Sequence, residues 1–288
     1  MDRFKIKNSL NNLVMKLQSG LYIVATPIGN LEDITLRALF VLKNCDIIYC
    51  EDTRLAQKLL LKHGIKGKKL AIYNDHSDES ERVRIAKKIH EGKMICLVSD
   101  AGTPLISDPG YKLVRFLQEK EIYIDVLPGP CAAISALVLS GLPTDRFFFA
   151  GFMPKTMVGR EKLLQSLENL AATIILYDAA PRIFDSLVAI EKVLGNREVA
   201  VVREMTKIFQ TVIRRSVAEI IGQFDMVKTR GEFVILISSA KPEIEFSKED
   251  IMEQIKQMQK IGKSKKDIAE ELMVKLNKKI TKNEIYNM

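Results

Sequence analysis

Residues 97–109 read L-V-S-D-A-G-T-P-L-I-S-D-P. The apolar run 94–98 stops at Ser99, a loop of small, turn-forming and acidic residues follows, and a helical pattern resumes from Gly110. An open α/β sheet presents a ligand loop in this way, at the carboxyl end of a strand. Gly102, Pro104 and Pro109 fix a tight path, and Gly102 lets a ligand approach the backbone closely. Asp100 offers an acceptor to a ligand amine or hydroxyl. The plain alternative for this loop is a structural turn with two satisfied aspartates.

Two other stretches repeat the design. Residues 21–33, L-Y-I-V-A-T-P-I-G-N-L-E-D, run from a strand pattern into a Pro/Gly loop, and 124–133, I-D-V-L-P-G-P-C-A-A, give a strand, a Pro-Gly-Pro turn and a small-residue helix start. Three such loops, each following a strand, gather at one edge of a parallel sheet and outline a pocket. Neither the Gly-x-Gly-x-x-Gly dinucleotide fingerprint nor a Walker-type G-x-x-x-x-G-K-S/T loop occurs, which argues against a dinucleotide or a triphosphate in that pocket.

The chain has 288 residues, long enough for two domains, and its 47% hydrophobic and 28% charged content is that of an ordinary folded protein. Cys45, Cys50, Cys96 and Cys131 lie in or beside apolar runs without a Cys-x-x-Cys pair, so they read as buried thiols in a reducing compartment. His63, His76 and His90 are too scattered for a metal site and read as surface residues, and no metal is expected. The first twenty residues lack the apolar core of a secretory signal, and nothing approaches the roughly 20 apolar residues of a membrane span, so a cytoplasmic protein is expected. The net charge of +8 is spread along the chain, with eight lysines against four acids in 260–288. Such an excess suits a polyanion such as nucleic acid, and equally suits mere solubility.

Strand patterns fall at 21–25, 47–50, 69–73, 94–98 and 122–127, with helical patterns at 35–42, 54–63, 79–91 and 111–120. This alternation predicts an α/β domain with a parallel sheet and right-handed crossovers. A second set has strands at 146–150, 173–177, 198–202, 207–214 and 233–238, and helices near 160–169, 184–194 and 217–223. The expected organisation is an N-terminal extension (1–20), an N-terminal α/β domain (21–142), a C-terminal α/β domain with a mixed sheet (143–240) and a helical tail (241–288). The boundary falls at Gly141-Leu142-Pro143, after a helix over 131–140. In the tail, Ser264 and Thr281 are candidate helix caps, and a turn near Asn277 suits a helix-turn-helix-like unit.

Taken together, T-P-I-G-N-L-E-D, E-D-T-R, S-D-A-G-T-P-L-I-S-D-P-G-Y, P-G-P, S-G-L-P-T-D-R-F, R-E-M-T-K and R-G-E-F-V resemble the tetrapyrrole methylase superfamily, over about 20–239. They are similar to its RNA branch, whose members methylate a cytidine ribose 2′-hydroxyl in the decoding region of 16S rRNA. The resemblance implies a two-domain class III methyltransferase, a homodimer, with S-adenosyl-L-methionine between the domains and the small ribosomal subunit as partner. Where corrin and sirohaem relatives read Gly-Asp-Pro, this chain reads Gly102-Thr103-Pro104, which favours the RNA branch. Two alternatives stay open: a small-molecule tetrapyrrole methyltransferase, and a non-catalytic rRNA-binding assembly factor.

The resemblance places the cofactor against Ala101, Gly102, Thr103, Ile106, Cys131 and Ala132, with Tyr177 and Ala179 closing over it, and the same loops add Pro27, Asp100 and Pro128. A cofactor carrying a sulfonium, an ammonium, a carboxylate and an adenine needs backbone donors and acceptors around a mostly apolar pocket. A ribose hydroxyl is a weak nucleophile, so positioning and a nearby charge have to help it. Two charged clusters are candidates. Lys207, oriented by Glu204, is expected near the attacking oxygen or a phosphate, and Arg54 serves as a phosphate or substrate clamp. Their bland readings are a salt-bridge network for Arg203, Glu204 and Lys207, and a helix cap with a local ion pair for Glu51, Asp52 and Arg54. Arg160, Arg182 and Asp52 complete the expected substrate contacts, while Lys155, Arg214 and Arg215 read as solvated side chains. The chain departs from relatives at Tyr177-Asp178-Ala179-Ala180-Pro181-Arg182, where they read Tyr-Glu-Ser-Pro-His-Arg, and at Gln210, where they tend to have glutamate.

Overall fold

The computed structural model describes residues 17–74, 77–224, 231–240, 248–275, 281 and 284–285. The expected extension up to residue 16, His76 and the tail turn near Asn277 lie outside the described residues. The described chain divides into two compact units, Met1–Ser239 and Ala240–Met288.

The first unit begins with β1 (Gly20–Val24), α1 (Leu36–Asn44), β2 (Ile47–Cys50), α2 (Thr53–Lys62), β3 (Lys69–Ile72), α3 (Glu79–His90), β4 (Met94–Val98), α4 (Tyr111–Gln118) and β5 (Ile124–Leu127). These strands form a sheet in the order β3-β2-β4-β1-β5, with every neighbouring pair parallel. Strands covered on both faces read as continuous apolar runs, and β1 is buried along its whole length. Its alternation splits the core. Tyr22 and Val24 pack with Val41, Leu42 and Leu60 on one face, and Leu21 and Ile23 pack with Ile85, Ile89, Leu113 and Leu117 on the other.

The unit continues with α5 (Ala132–Ser140), β6 (Phe147–Phe152), α6 (Met157–Ser166), β7 (Thr173–Ala179), a 3-10 turn (Ala180–Arg182), α7 (Ile183–Leu194), β8 (Glu198–Arg203), β9 (Thr211–Ser216), α8 (Val217–Gly222) and β10 (Glu232–Ile237). The second sheet runs β6-β7-β10-β8-β9; only β6 and β7 are parallel, so it is mixed. Its far face packs on α6, α7 and α8 through Leu164, Ile183, Leu187, Ile190 and Ile220. Its near face is covered by Ala133, Ala136 and Leu137 of α5, which meet Ile175, Ala200, Val234 and Leu236. The helix expected to close the first domain therefore lies on the second sheet.

Two element starts differ from the sequence reading by three or more residues. The strand expected over 207–214 starts only at Thr211, because Glu204 (φ 49) and Thr206 (φ 63) turn the backbone into the left-handed region and hold Lys207 to Gln210 out of extended geometry. The helix expected from Arg160 starts at Met157, capped by Thr156, whose hydroxyl accepts from Gly159 N at 3.2 Å.

The second unit contains α9 (Lys248–Lys260) and α10 (Lys265–Lys275), with a small core of Ile251, Ile255, Ile268, Ala269, Leu272 and Ile285. Ser264 accepts from Asp267 N at 3.2 Å, and Thr281 accepts from Glu284 N at 3.3 Å while Glu284 accepts from Thr281 N at 2.8 Å. The first is a helix cap and the second a capping box.

Candidate functional site

The strand order places β4, β1 and β5 side by side, so the loops that leave their carboxyl ends meet. Thr26 and Gly102 exchange two backbone bonds, Thr26 N donating to Gly102 O at 2.8 Å and Gly102 N to Thr26 O at 3.0 Å. Thr103 Oγ1 donates to Pro130 O at 2.9 Å and Ser99 Oγ to Gly102 O at 3.2 Å. All three loops are thus tied together through main-chain atoms. The central loop holds Gly102 (φ 84), Leu105 (φ 73) and Ser107 (φ 65) in left-handed conformations. Such conformations persist only where the surroundings impose them, and they concentrate at functional sites.

The second sheet closes the site from the opposite side. Tyr177, near the end of β7, lies edge-on to Phe149 and Phe152, with ring centroids at 4.8 and 5.3 Å, and its hydroxyl accepts from Ala133 N at 3.0 Å. Burial pushes its phenol up to about 12, so it stays neutral. The cavity between the sheets measures about 420 Å³. Asp100, Ala101, Gly102, Thr103, Ile106, Cys131, Ala132, Tyr177 and Ala179 line it. Pro27 does not; it is buried and lines a smaller neighbouring hollow. Pro128 is exposed and lines neither.

Sequence reasoning missed Ile28, Ser107, Asp108, Phe152, Met205 and Gly231 to Val234 at the entry to β10, all of which line the cavity, as does Asp178 between the expected Tyr177 and Ala179. The R-G-E-F-V motif was the available signal for β10, but nothing local assigns it a place. Among the described residues the lining carries Asp100, Asp108, Asp178 and Glu232 and no lysine or arginine. A cationic ligand suits it better than a phosphate.

A turn between β8 and β9 borders the cavity through Met205. Glu204 N donates to Glu232 O at 3.1 Å, and Glu204 Oε1 accepts from Glu232 N at 3.1 Å. Lys207 Nζ lies 2.9 Å from Glu204 Oε1 and 3.1 Å from Glu232 Oε2. Burial disfavours the charge on Glu204, but the Lys207 ammonium, the Glu232 N–H and Arg203 outweigh it and hold the carboxyl below its ordinary range. Burial likewise disfavours the Lys207 charge, and Glu204 with Glu232 reverses that, raising its ammonium above the ordinary lysine value. Lys207 and Glu204 do not themselves line the cavity; their neighbours Met205 and Glu232 do. The first sheet's T-P-I-G-N loop docks on this turn, Asn30 N donating to Thr206 Oγ1 at 2.9 Å. The fit requires Gly29, since a Cβ there would stand 2.6 Å from Thr206 Oγ1, 2.8 Å from Lys207 Cγ and 2.8 Å from Met205 O.

Asp52 caps α2, accepting from Arg54 N at 2.8 Å, and pairs with the Arg54 guanidinium at 2.6 Å. Those bonds push its carboxyl down to about 2. Arg54 is 89% exposed. Asp52 N donates to Asp100 Oδ1 at 3.1 Å, which ties α2 to the cavity wall. Arg182 pairs with Asp178 at 3.0 Å, and Asp178 also accepts from Ser186. Arg160, expected to meet substrate, is only 2% exposed; Pro154 O and Lys155 O accept from it and Asp185 pairs with it. A guanidinium enclosed in that way organises the β6–α6 connection and has no face for substrate.

Among the described residues no group of His, Cys, Asp and Glu is placed to hold a metal, and no helix is long and apolar enough to cross a membrane. His90 is exposed, while His63 is half-buried, with Nε2 2.9 Å from Leu31 O.

Residues 20–221 match the family Tetrapyrrole (Corrin/Porphyrin) Methylases. The chain belongs to the tetrapyrrole methylase family. It is 55% identical to ribosomal RNA small subunit methyltransferase I of Rickettsia prowazekii over 224 residues, covering 78% of this chain and 80% of the relative. The proteins of the same name from Escherichia coli O157:H7 and Bacillus subtilis are 45% and 42% identical, over 79% and 77% of this chain and 80% and 76% of theirs. Solved structures share the architecture. Cobalt precorrin-4 methyltransferase of cobalamin biosynthesis superposes with a TM-score of 0.56 at 17% identity, covering 76% of this chain and 94% of that one. Uroporphyrin-III-C-methyltransferase of Thermus thermophilus gives 0.55 at 18%, covering 77% and 95%. These likenesses establish the class III methyltransferase fold: a parallel first sheet followed by a mixed second one.

Proposed function

We propose that this chain is an S-adenosyl-L-methionine-dependent methyltransferase that modifies a cytidine ribose 2′-hydroxyl in the decoding region of 16S rRNA, working in the cytoplasm as a homodimer on the small ribosomal subunit. The observation that carries this reading is an acid-lined cavity of about 420 Å³ in a chain 55% identical to a ribosomal RNA small subunit methyltransferase.

The residues present fit the cofactor. Its sulfonium and ammonium suit a wall with Asp100, Asp108 and Glu232, and its adenine suits Ile28, Ile106, Phe152 and Val234. The left-handed path at Gly102 opens backbone atoms to it without an intervening side chain. When bound, the cofactor supplies an electrophilic methyl group. The chain has then to position the ribose and manage charge. Glu204 and Glu232 keep Lys207 protonated, so Lys207 serves as a fixed cation for a developing alkoxide or a neighbouring phosphate, not as a proton acceptor. Arg54, exposed beside Asp52, acts as a clamp on the RNA backbone. Arg182 and Asp52 act on the substrate through the acids they hold in place, Asp178 and Asp100.

The test is a map of ribose methylation across 16S rRNA in cells lacking the gene and after its return. One decoding-region 2′-O-methyl should vanish, reappear with the wild-type gene, and stay absent with Lys207→Ala. An unchanged map would overturn the reading.

A further inference from the structure

Beside the main cavity lies a hollow of about 120 Å³, and Asp100 stands in the wall of both. Its sides come from Pro27 and Leu31 of the first loop and from Leu55, Lys58 and Leu59 of α2. We infer that this hollow receives the base of the target nucleotide, turned out of its stack, and that Asp100 and Lys58 select cytosine there. The inference rests on the RNA reading above.

Chemistry on one nucleotide of a folded RNA requires that nucleotide to be drawn out and held, and proteins hold such bases by apolar contact with the ring faces and hydrogen bonds to the Watson–Crick edge. The hollow has both elements. Pro27, Leu31, Leu55 and Leu59 supply apolar walls. Its volume, less than a third of the main cavity's, suits a single ring better than a fused purine. Asp100 spends Oδ1 on Asp52 N, 3.1 Å away, and makes no other hydrogen bond among the described residues. Lys58 is exposed and has no ion pair among them. Cytosine presents an N4 amino donor with N3 and O2 acceptors, matching a carboxylate and an ammonium. Uracil places O4, an acceptor, where cytosine has its donor, and so sets oxygen against the carboxylate. Because Asp100 borders both spaces, a base seated in the hollow has its ribose next to the cavity assigned to the methyl donor.

The test uses the purified full chain, unmethylated small subunits with either cytidine or uridine at the mapped target, and two variants. Leu55 is 46% exposed at the rim, so Leu55→Trp fills the hollow without entering the core. It should leave S-adenosylmethionine binding by calorimetry within about twofold and lower kcat/KM for the cytidine subunit on the order of 30-fold. Asp100→Asn keeps the acceptor for Asp52 N and puts an amide donor in place of the second oxygen. It should lower the cytidine-to-uridine rate ratio about tenfold or more, a ratio in which any change of cofactor affinity cancels. Wild-type transfer rates in Leu55→Trp, equal loss of cofactor binding and transfer in that variant, or an unchanged ratio in Asp100→Asn would each overturn the inference. No transfer by the wild type would overturn the RNA reading instead.

Discussion

Two irregular segments face each other across the cavity, and different forces hold them. The loop after β4 is locked by main-chain bonds to Thr26 and by hydroxyl bonds to Gly102 O and Pro130 O. The turn after β8 is held by charge, with Lys207 bridging Glu204 and Glu232. Both store left-handed backbone, at Leu105 and Ser107 in one and at Glu204 and Thr206 in the other. These bonds of the loop that shapes the cavity join uncharged groups, whereas those of the turn that presents a cation beside it join charged ones. A fixed cradle is paired with a tunable charge.

The largest effect should come from breaking the joint between them. Gly29→Val drives a side chain into Thr206, Lys207 and the Met205 carbonyl. Backbone cannot yield as a side-chain tip would, so a loss of about 3 kcal/mol is expected, together with near-complete loss of methyl transfer. Denaturant unfolding and a transfer assay check this; a wild-type midpoint would show that the two segments do not depend on each other. Gly102→Val should cost about 2 kcal/mol, the toll of a β-branched residue at φ 84. Its expected signature is weakened cofactor binding with unchanged pH dependence, because the bonds made at Gly102 join uncharged groups.

Lys207→Met sharpens the contrast. Glu204, depressed in the fold, contributes stability that is complete above its ordinary value of about 4.3 and is lost as pH falls through the lower folded value. Lys207, raised in the fold, contributes stability that is complete below about 10.4 and is lost as pH rises through the higher folded value. The gap between wild type and Lys207→Met should be widest between those limits and close beyond them. Lys207 is 33% exposed, so the gap should be modest and shrink with added salt. Thermal melts from pH 3 to 11 decide it, and a gap constant with pH would sink the charge-lock account.

The same contrast explains what was legible in the sequence. The parallel sheet and the three loops could be read because each signal is local, an apolar strand broken by a Gly/Pro-rich turn. The second half of the cavity could not. Gly231 to Val234 reach it only because β10 inserts between β7 and β8, a pairing set by distant residues. The helix α5 follows a first-domain strand in sequence yet buries Ala133 and Leu137 on the second sheet, which no window of the chain around it reveals. Arg160 looked like a free cation at a helix start, but its partner Asp185 comes from α7 and its burial from the fold of the whole β6–α6 connection. The Glu204–Lys207 pair was readable from spacing; its third member, Glu232, was not.

The smallest structural effect is expected from Arg54→Ala, and it separates binding from folding. The guanidinium is almost wholly exposed, so its removal should leave the melting temperature unchanged within error. Asp52 keeps its backbone bond from residue 54 but loses the side-chain bonds that head the causes of its low pKa, so its carboxyl should rise from about 2 towards the ordinary aspartate value, as carbon-detected NMR titration would report. If Arg54 clamps RNA, affinity for the small subunit should fall and the slope of log affinity against log salt should flatten by about one phosphate contact. An unchanged slope alongside the raised Asp52 carboxyl would leave Arg54 as the cap's counter-ion alone.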